Sequence, residues 1–290
     1  MKKAIALFVV ALFVVSGVFA QTTTSWKASR HSVYAGIGGN IFEGDIVSPK
    51  NKKAISFKDA GFSAQLGYKF KLTERFSLRA NMLYANLAAA DDDSKRESHV
   101  PRNLDFKTNA WNLDGIVDFY FIKEKEFKNH FVPSFTQRLS AYVFVGFGGL
   151  FYNPKGSYNG DWYELRPLHT EGQGQPGRED EYGKVTWVLP LGVGAKFSLT
   201  KKLYVGIELA QHFTGSDYID DCSSTYFQYS PSEVPSYNLA DKTPHHNMKT
   251  GAQRGGNSHN DCFKTFLVTF GYKFTGGPTT EHVARPKYIY

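Results

Sequence analysis

The chain has 290 residues, with 34 Lys and Arg against 27 Asp and Glu, so its formal net charge is +7. Aromatic residues make up 16%, glycines number 27 and cysteines only 2, while the mean hydropathy is −0.37. These values exclude a helical membrane bundle, which needs several apolar runs of about 20 residues, a disulfide-stapled small domain and a disordered chain, which is poor in aromatics. Many aromatics and glycines within a polar average point to a β protein.

Met1–Lys3 is a short basic stretch, and Ala4–Ala20 is apolar, ending in Val18-Phe19-Ala20. Small residues at the −3 and −1 positions fit a signal peptide over 1–20 with cleavage after Ala20. The competing reading, a membrane anchor, meets a run that is short and contains Ser16 and Gly17. No Cys follows the cleavage point, so lipid attachment is not expected.

From residue 32 onward the pattern is alternation. Phe62, Ala64, Leu66, Tyr68 and Phe70 oppose Ser63, Gln65, Gly67 and Lys69. A strand places successive side chains on opposite faces, so this segment has one apolar and one polar face. The same period runs through 76–84, 111–121, 185–199, 203–212 and 265–274, and more weakly through 32–42 and 139–152. The faces of these last two carry Gly36, Gly38, Gly146 and Gly148.

Eight segments result, most of about 11–15 residues, longer than average soluble strands and sufficient for tilted membrane-spanning ones. The polar faces carry Lys69, Arg79, Asp114, Asp118, Lys196, Glu208 and Lys264, which an apolar soluble core would not tolerate. Aromatics near the segment ends match interfacial girdles. The predicted fold is therefore all-β: an eight-stranded antiparallel transmembrane β-barrel over residues 21–274. A soluble lipocalin-like barrel is the alternative.

Loop lengths test this independently. Outer-membrane barrels have short periplasmic turns and long outside loops. The turns at 72–75 and 200–202 are tight, whereas 43–59, 86–107, 153–184 and 215–262 are long and all fall on one side, giving four long extracellular loops. The segment 123–138 breaks the rule, being long yet periplasmic, and 275–290 forms a periplasmic C-terminal tail. The inward charges Lys69, Arg79, Asp114, Asp118, Lys196 and Glu208 are read as lumen ion pairs, a plug and not a conduit.

Sorted by this topology, the N-terminal segment, turns and tail hold thirteen basic residues against four acidic; the long loops hold fifteen basic against twenty acidic. The basic rim, with Lys123, Lys125, Lys128, Arg138, Lys201, Lys202, Arg285 and Lys287, is expected to face a partner. Two readings stay open: the phosphates of outer-membrane lipids, or an acidic periplasmic protein. Nucleic acid is not expected for an exported barrel.

Cys222 and Cys262 lie at the two ends of the last long loop, where a hairpin would bring them together. Export permits oxidation, so a Cys222–Cys262 disulfide is expected, with free thiols as the alternative. No catalytic, cofactor-binding or metal-binding residue is expected. No nucleophile, zinc or phosphate-loop motif is present, and His245, His246 and His259 lack the spacing that three or four convergent ligands need.

The third long loop carries the most specific sequence. It reads NPKGSYNGDWYELRPLHTEGQG over Asn153–Gly174. This stretch resembles the PorG-like outer-membrane β-barrel family of the type IX secretion system of Bacteroidota, whose signature is NPK-x-x-Y-x-G-x-W-Y-x-L-x-P-L-x-T-E-G-Q-G. The matching positions are Asn153, Pro154, Lys155, Tyr158, Gly160, Trp162, Tyr163, Leu165, Pro167, Leu168, Thr170, Glu171, Gly172, Gln173 and Gly174. Arg102–Phe106, Asp217–Asp221, Ser224–Tyr226 and Arg254–Ser258 look similar too. Cys222, Cys262, the stretch 227–250 and the tail depart from the pattern.

The resemblance implies a non-enzymatic outer-membrane part of protein secretion and, in some organisms, of gliding motility. It implies contact with a periplasmic ring of a PorK-like lipoprotein and a PorN-like protein. The topology puts the motif loop outside, away from such a ring, where it would close the barrel or meet an extracellular component. The alternative is a stand-alone small outer-membrane porin or surface-binding barrel.

Overall fold

The computed structural model describes residues 29–46, 61–91, 102–125, 134–243, 245–246, 248–256 and 259–274. The segment 1–20, the tail 275–290 and Lys128, Arg285 and Lys287 lie outside the described residues.

Among the described residues ten strands are present: β1 (His31–Glu43), β2 (Gly61–Lys71), β3 (Phe76–Ala90), β4 (Asp105–Ile122), β5 (Leu139–Phe151), β6 (Lys155–Tyr158), β7 (Asp161–Glu164), β8 (Val185–Ser198), β9 (Leu203–Thr214) and β10 (Cys262–Phe274). β6 and β7 form a small hairpin off β4. The other eight make one antiparallel up-and-down sheet, each strand beside its neighbour in order. β1 pairs with β10 from His31↔Phe274 to Glu43↔Cys262, which closes the barrel. Closure removes every free edge, the condition for strands to cross a bilayer. The predicted eight-stranded antiparallel barrel is the fold observed.

Alternation sorts the wall. Leu113, Phe147, Val185 and Phe270 are 67%, 64%, 66% and 59% exposed, and similar apolar side chains cover the outside of all eight strands. Such a continuous apolar surface belongs in hydrocarbon, not in water. Among the described residues no helix is long and apolar enough to cross a membrane; the crossing elements are strands. Trp111, Trp187 and Phe213 ring one end of the belt, and Phe119, Phe121, Tyr272 and Phe274 the other.

Inside, the composition puzzle of many glycines and many aromatics resolves into pairs. Tyr34 lies opposite Gly67, Tyr142 opposite Gly194, Phe144 opposite Gly192 and Tyr204 opposite Gly271, each as direct cross-strand partners. Each ring lies against its partner glycine so closely that a Cβ there would fall 2.0–2.5 Å from the ring. The glycines are the space the inward rings need, since an eight-stranded barrel is only about wide enough for its own side chains.

The two tight turns share one design. In Leu72-Thr73-Glu74-Arg75 and Leu199-Thr200-Lys201-Lys202, the Thr hydroxyl oxygen accepts from the backbone N–H of the residues two and three positions on. The first residue's N–H closes the hairpin onto Phe76 or Leu203. This turn end carries Arg75, Lys123, Lys125, Arg138, Lys201 and Lys202; Lys123 pairs with Glu74 at 2.7 Å.

One inward assignment is corrected. Lys264 shares the parity of Phe266 and Phe270, so it faces outward, where it pairs with Glu43. Its length and charge let it reach from the lipid face to the interface. The inward lysine of β10 is Lys273, which is buried.

Replacing Gly271 with Val would set a branched side chain into the Tyr204 ring. The expected result is a loss of stability of at least the roughly 1–3 kcal/mol typical of overpacking, read from urea unfolding in micelles. Gly115 has open space at its Cβ position, so Gly115→Val should leave the midpoint nearly unchanged.

Candidate functional site

Two regions hold the buried polar groups: the lumen near the turn end and a cap over the loop end. In the lumen, Asp118 of β4 meets Lys69 at 3.0 Å and Arg79 at 2.8 Å, and Arg79 also meets Glu208 of β9 at 2.7 Å. Glu208 further accepts from Gln65 at 3.1 Å and from Tyr142. Two other sequence-derived lumen charges sit apart from this group. Lys196 pairs at 3.0 Å with Glu124, which lies beyond the end of β4. Asp114 accepts from Asn112 at 2.5 Å and makes no ion pair among the described residues.

Above the charges, Leu83, Leu87, Leu150, Val188 and Phe263 form an apolar plug continuous with the base of the cap, set among buried Asn40, Asn112 and His212. β3 and β4, with 15 and 18 residues, rise past the bilayer in register to Ala90↔Asp105 and carry that base outward.

The family-like stretches meet in the cap. Thr170 donates to Asp221 at 2.5 Å, and Glu171 lies against Arg254 at 3.0 Å. Glu171 also accepts from the backbone N–H of Ser223 and Ser224, at 3.1 and 2.9 Å, and from the Ser224 hydroxyl at 2.7 Å. Arg254 donates in turn to the Asp221 carbonyl at 2.5 Å. Arg102 grips Asp91 through two nitrogens, at 3.1 and 2.7 Å, and also reaches the carbonyls of Asp45 and Arg254. All four long loops are thereby joined through buried charge-assisted bonds, which are stronger than neutral ones.

The motif's spacing has a local reason. Asn159 and Gly160, with φ of 52° and 88°, make the turn between β6 and β7, a pair of left-handed residues as tight hairpins require. Pro154 accepts from the Leu165 N–H at 3.0 Å, shutting the hairpin base. Trp162 offers its ring to Lys107 at 3.7 Å, and Tyr158 packs on Tyr163. Pro167 lies in a 3-10 turn over Arg166–Leu168. Gly172 and Gly174, at φ of 75° and 80°, flank Gln173, whose side chain accepts from the Glu171 N–H. That geometry aims Thr170 and Glu171 inward. Asn153 and Lys155 lie at the hairpin base, where the Asn153 N–H donates to Thr108 at 2.9 Å.

The expected disulfide is not formed: both cysteines are free. Cys222 is drawn into the cap, its Sγ 3.3 Å from the Arg254 carbonyl, while Cys262 stays at the edge of β10 beside Glu43. The ends of the loop do meet, the Asp261 N–H donating to the Ser216 carbonyl at 3.1 Å and the Ile219 N–H to the Asp261 carboxylate at 2.8 Å, but Cys222 lies past that junction and is held by the cap. Burial pushes the Cys222 thiol well up from its usual range, which makes it unreactive.

Beside the cap lies an open cleft of about 620 Å³, lined by Glu179, Asp180 and Asp217 and by Tyr152, Tyr182 and Tyr218. The three rings stack in sequence, with centroids 6.4 and 4.8 Å apart. Burial, with Asp45, Glu171 and Glu179 nearby, pushes the Asp217 carboxyl up to about 7 despite the hydrogen bond from Ser223. Among the described residues no three of His, Cys, Asp or Glu are placed to hold a metal ion.

Sequence reasoning missed Arg102 as a hub and missed Glu124, Lys71 and Lys273. The two lysines share the inward parity of Lys69 and Gly271; Glu124 lies beyond the strand, where parity says nothing.

These features define a small transmembrane β-barrel of the outer-membrane type, closed within and capped by its loops. The chain belongs to the family DUF6089, described as a domain of unknown function, whose model matches residues 7–243. No curated protein matches it. Among solved structures it is similar to Neisserial surface protein A, with 11% identity over 84% of this chain and 97% of that one and a TM-score of 0.39. The attachment invasion locus protein Ail of Yersinia pestis is similar at 11% identity, over 85% and 99%, with a TM-score of 0.38. A major outer membrane protein of Thermus thermophilus gives 12%, 84% and 99%, and 0.38.

Glu171→Ala removes the nearer of the two carboxylates of buried Arg254, leaving Asp221 at 3.7 Å; breaking a buried pair costs up to about 3–5 kcal/mol. Limited proteolysis should then cut within 217–226 while the barrel's circular dichroism stays unchanged. A raised carboxyl pKa means the folded cap keeps a proton that the unfolded chain has lost above its ordinary value of 3.8. That contribution is full below about 4 and is lost as pH passes about 7. The denaturant midpoint for cap opening should therefore be lower at pH 8 than at pH 5.5, and Asp217→Asn should shrink the difference.

Proposed function

We propose that this barrel is a non-enzymatic outer-membrane component of the type IX protein secretion machinery. In this reading it anchors or contacts a periplasmic ring of a PorK-like lipoprotein and a PorN-like protein. The observation that carries it is the cap: Thr170 and Glu171, within the stretch that resembles the PorG-like family, bind residues of the other family-like stretches, Asp221, Ser224 and Arg254. A motif so used serves to build one rigid head on a closed barrel, and the same residues give no sign of catalysis.

With the long loops outside, the turn end faces the periplasm. Arg75, Lys123, Lys125, Arg138, Lys201 and Lys202 surround it, and Glu74 is the exposed carboxylate there among the described residues. A basic rim favours an acidic protein beneath the membrane and adds to its rate of encounter. Outer-membrane lipid phosphates compete for the same charges. The open cleft beside Tyr182 and Asp217 favours a second reading, a surface-binding barrel acting alone.

Photo-crosslinkers placed at Lys125 and Lys201 in cells should capture a periplasmic protein of net negative charge, and deletion of the gene should abolish secretion through the system. Crosslinks to lipid alone, together with intact secretion, would favour the stand-alone barrel.

A further inference from the structure

The lumen mouth at the turn end is built unlike the rest of the barrel. Its wall contributes cations and hydroxyls: Lys71 ends β2, Lys273 is the last residue but one of β10, and Lys196 and Ser198 lie at the end of β8. The three lysine side chains are 10%, 7% and 3% exposed. All three meet a single carboxylate, Glu124, at 3.0 Å from Lys71 and from Lys196 and in close contact with Lys273. The Ser198 hydroxyl donates to it at 2.8 Å. The faces of Tyr120 and Tyr204 lie 4.8 and 5.1 Å from the Lys196 ammonium, a floor that suits cations.

Glu124 does not belong to the wall. It stands two residues beyond β4, on the segment that leads from β4 toward β5, and its side chain dips inward to 3% exposure. Higher in the lumen, by contrast, the anions Asp118 and Glu208 are fixed on strands opposite their cations. The mouth is therefore a preformed receptor whose occupant arrives on a separate piece of chain. Ammonium groups held this close repel one another unless an anion lies between them. The site requires a carboxylate, and nothing in the wall requires that the carboxylate be Glu124.

We propose that Lys71, Lys196 and Lys273 form a carboxylate receptor for an acidic polypeptide at the periplasmic mouth, with Glu124 as its resident and displaceable occupant. This rests on the reading of the turn end as the face toward an acidic periplasmic partner. The occupant in place sets the ligand class: a carboxylate on a flexible side chain. A Glu or Asp side chain of the partner that entered the mouth would exchange with Glu124 and free the segment after β4 from the barrel. Docking and the position of that segment would thus be coupled through one shared site.

The test uses the folded barrel in micelles and a fluorescent oligo-glutamate peptide. Glu124→Gln vacates the charge, so it should bind the peptide about tenfold or more tightly than the unsubstituted protein. Adding Lys71→Gln and Lys273→Gln should remove that gain. Equal binding by Glu124→Gln and the unsubstituted protein would overturn the proposal. So would a gain that persists in the triple variant, which would assign it to the exposed rim lysines. If the triple variant fails to fold, acetate reads the same receptor: the melting temperature of Glu124→Ala should rise saturably with acetate over chloride at equal ionic strength. The unsubstituted protein should show no such rise, and an equal response in both would overturn the proposal. A gain in Glu124→Gln with no acidic protein captured at Lys125 or Lys201 would count against the docking reading alone.

Discussion

Arg79 sits with no exposed side-chain surface inside the barrel, 2.8 Å from Asp118 and 2.7 Å from Glu208. Its guanidinium carbon also lies 4.6 Å from the Phe144 ring centroid and 5.6 Å from that of Tyr34. The bonds join β3 to its neighbour β4 and, across the lumen, to β9. Removing one partner from such a buried pair costs about 3–5 kcal/mol. The same charges also fix the register. A slip of one residue would turn Arg79 onto the lipid face, where a cation is disfavoured by at least about 2–4 kcal/mol near the bilayer centre. Closure, filling and strand order thus depend on the charges being inside, and the aromatic–glycine pairs depend on the resulting register.

The wall was legible because its physics is local. A period of two states which side chains see lipid, and Leu66, Leu113, Val193 and Phe270 all obey it. Lys264 shows the limit: its chemistry suggested the lumen, but its parity with Phe266 put it outside, and parity was the better guide. Length also mattered, since β3 and β4 extend beyond the bilayer into the cap.

The cap was not legible, because its contacts are set by where four loops meet. Glu171 and Arg254 are 83 residues apart, and Arg102 reaches Arg254 across 152. No spacing rule relates them, although resemblance had marked each stretch separately. The free Cys222 follows from the same cause: the loop ends meet at Ser216 and Asp261, but the cap holds residue 222 beyond that junction, away from Cys262. Glu124 was hidden for a third reason, being an anion supplied by a connecting segment to a site whose cations lie on three strands.

Two ends of one molecule emerge. At the loop end, an apolar plug and a charged cap close the barrel; at the turn end, lysines gathered round Glu124 close it again. Filled in this way by its own side chains, the barrel is expected to conduct poorly. Planar-bilayer recording of the purified barrel tests this most directly. The expected result is no steady conductance above the bilayer baseline. A large, stable, open-channel current from the unsubstituted protein would contradict the account.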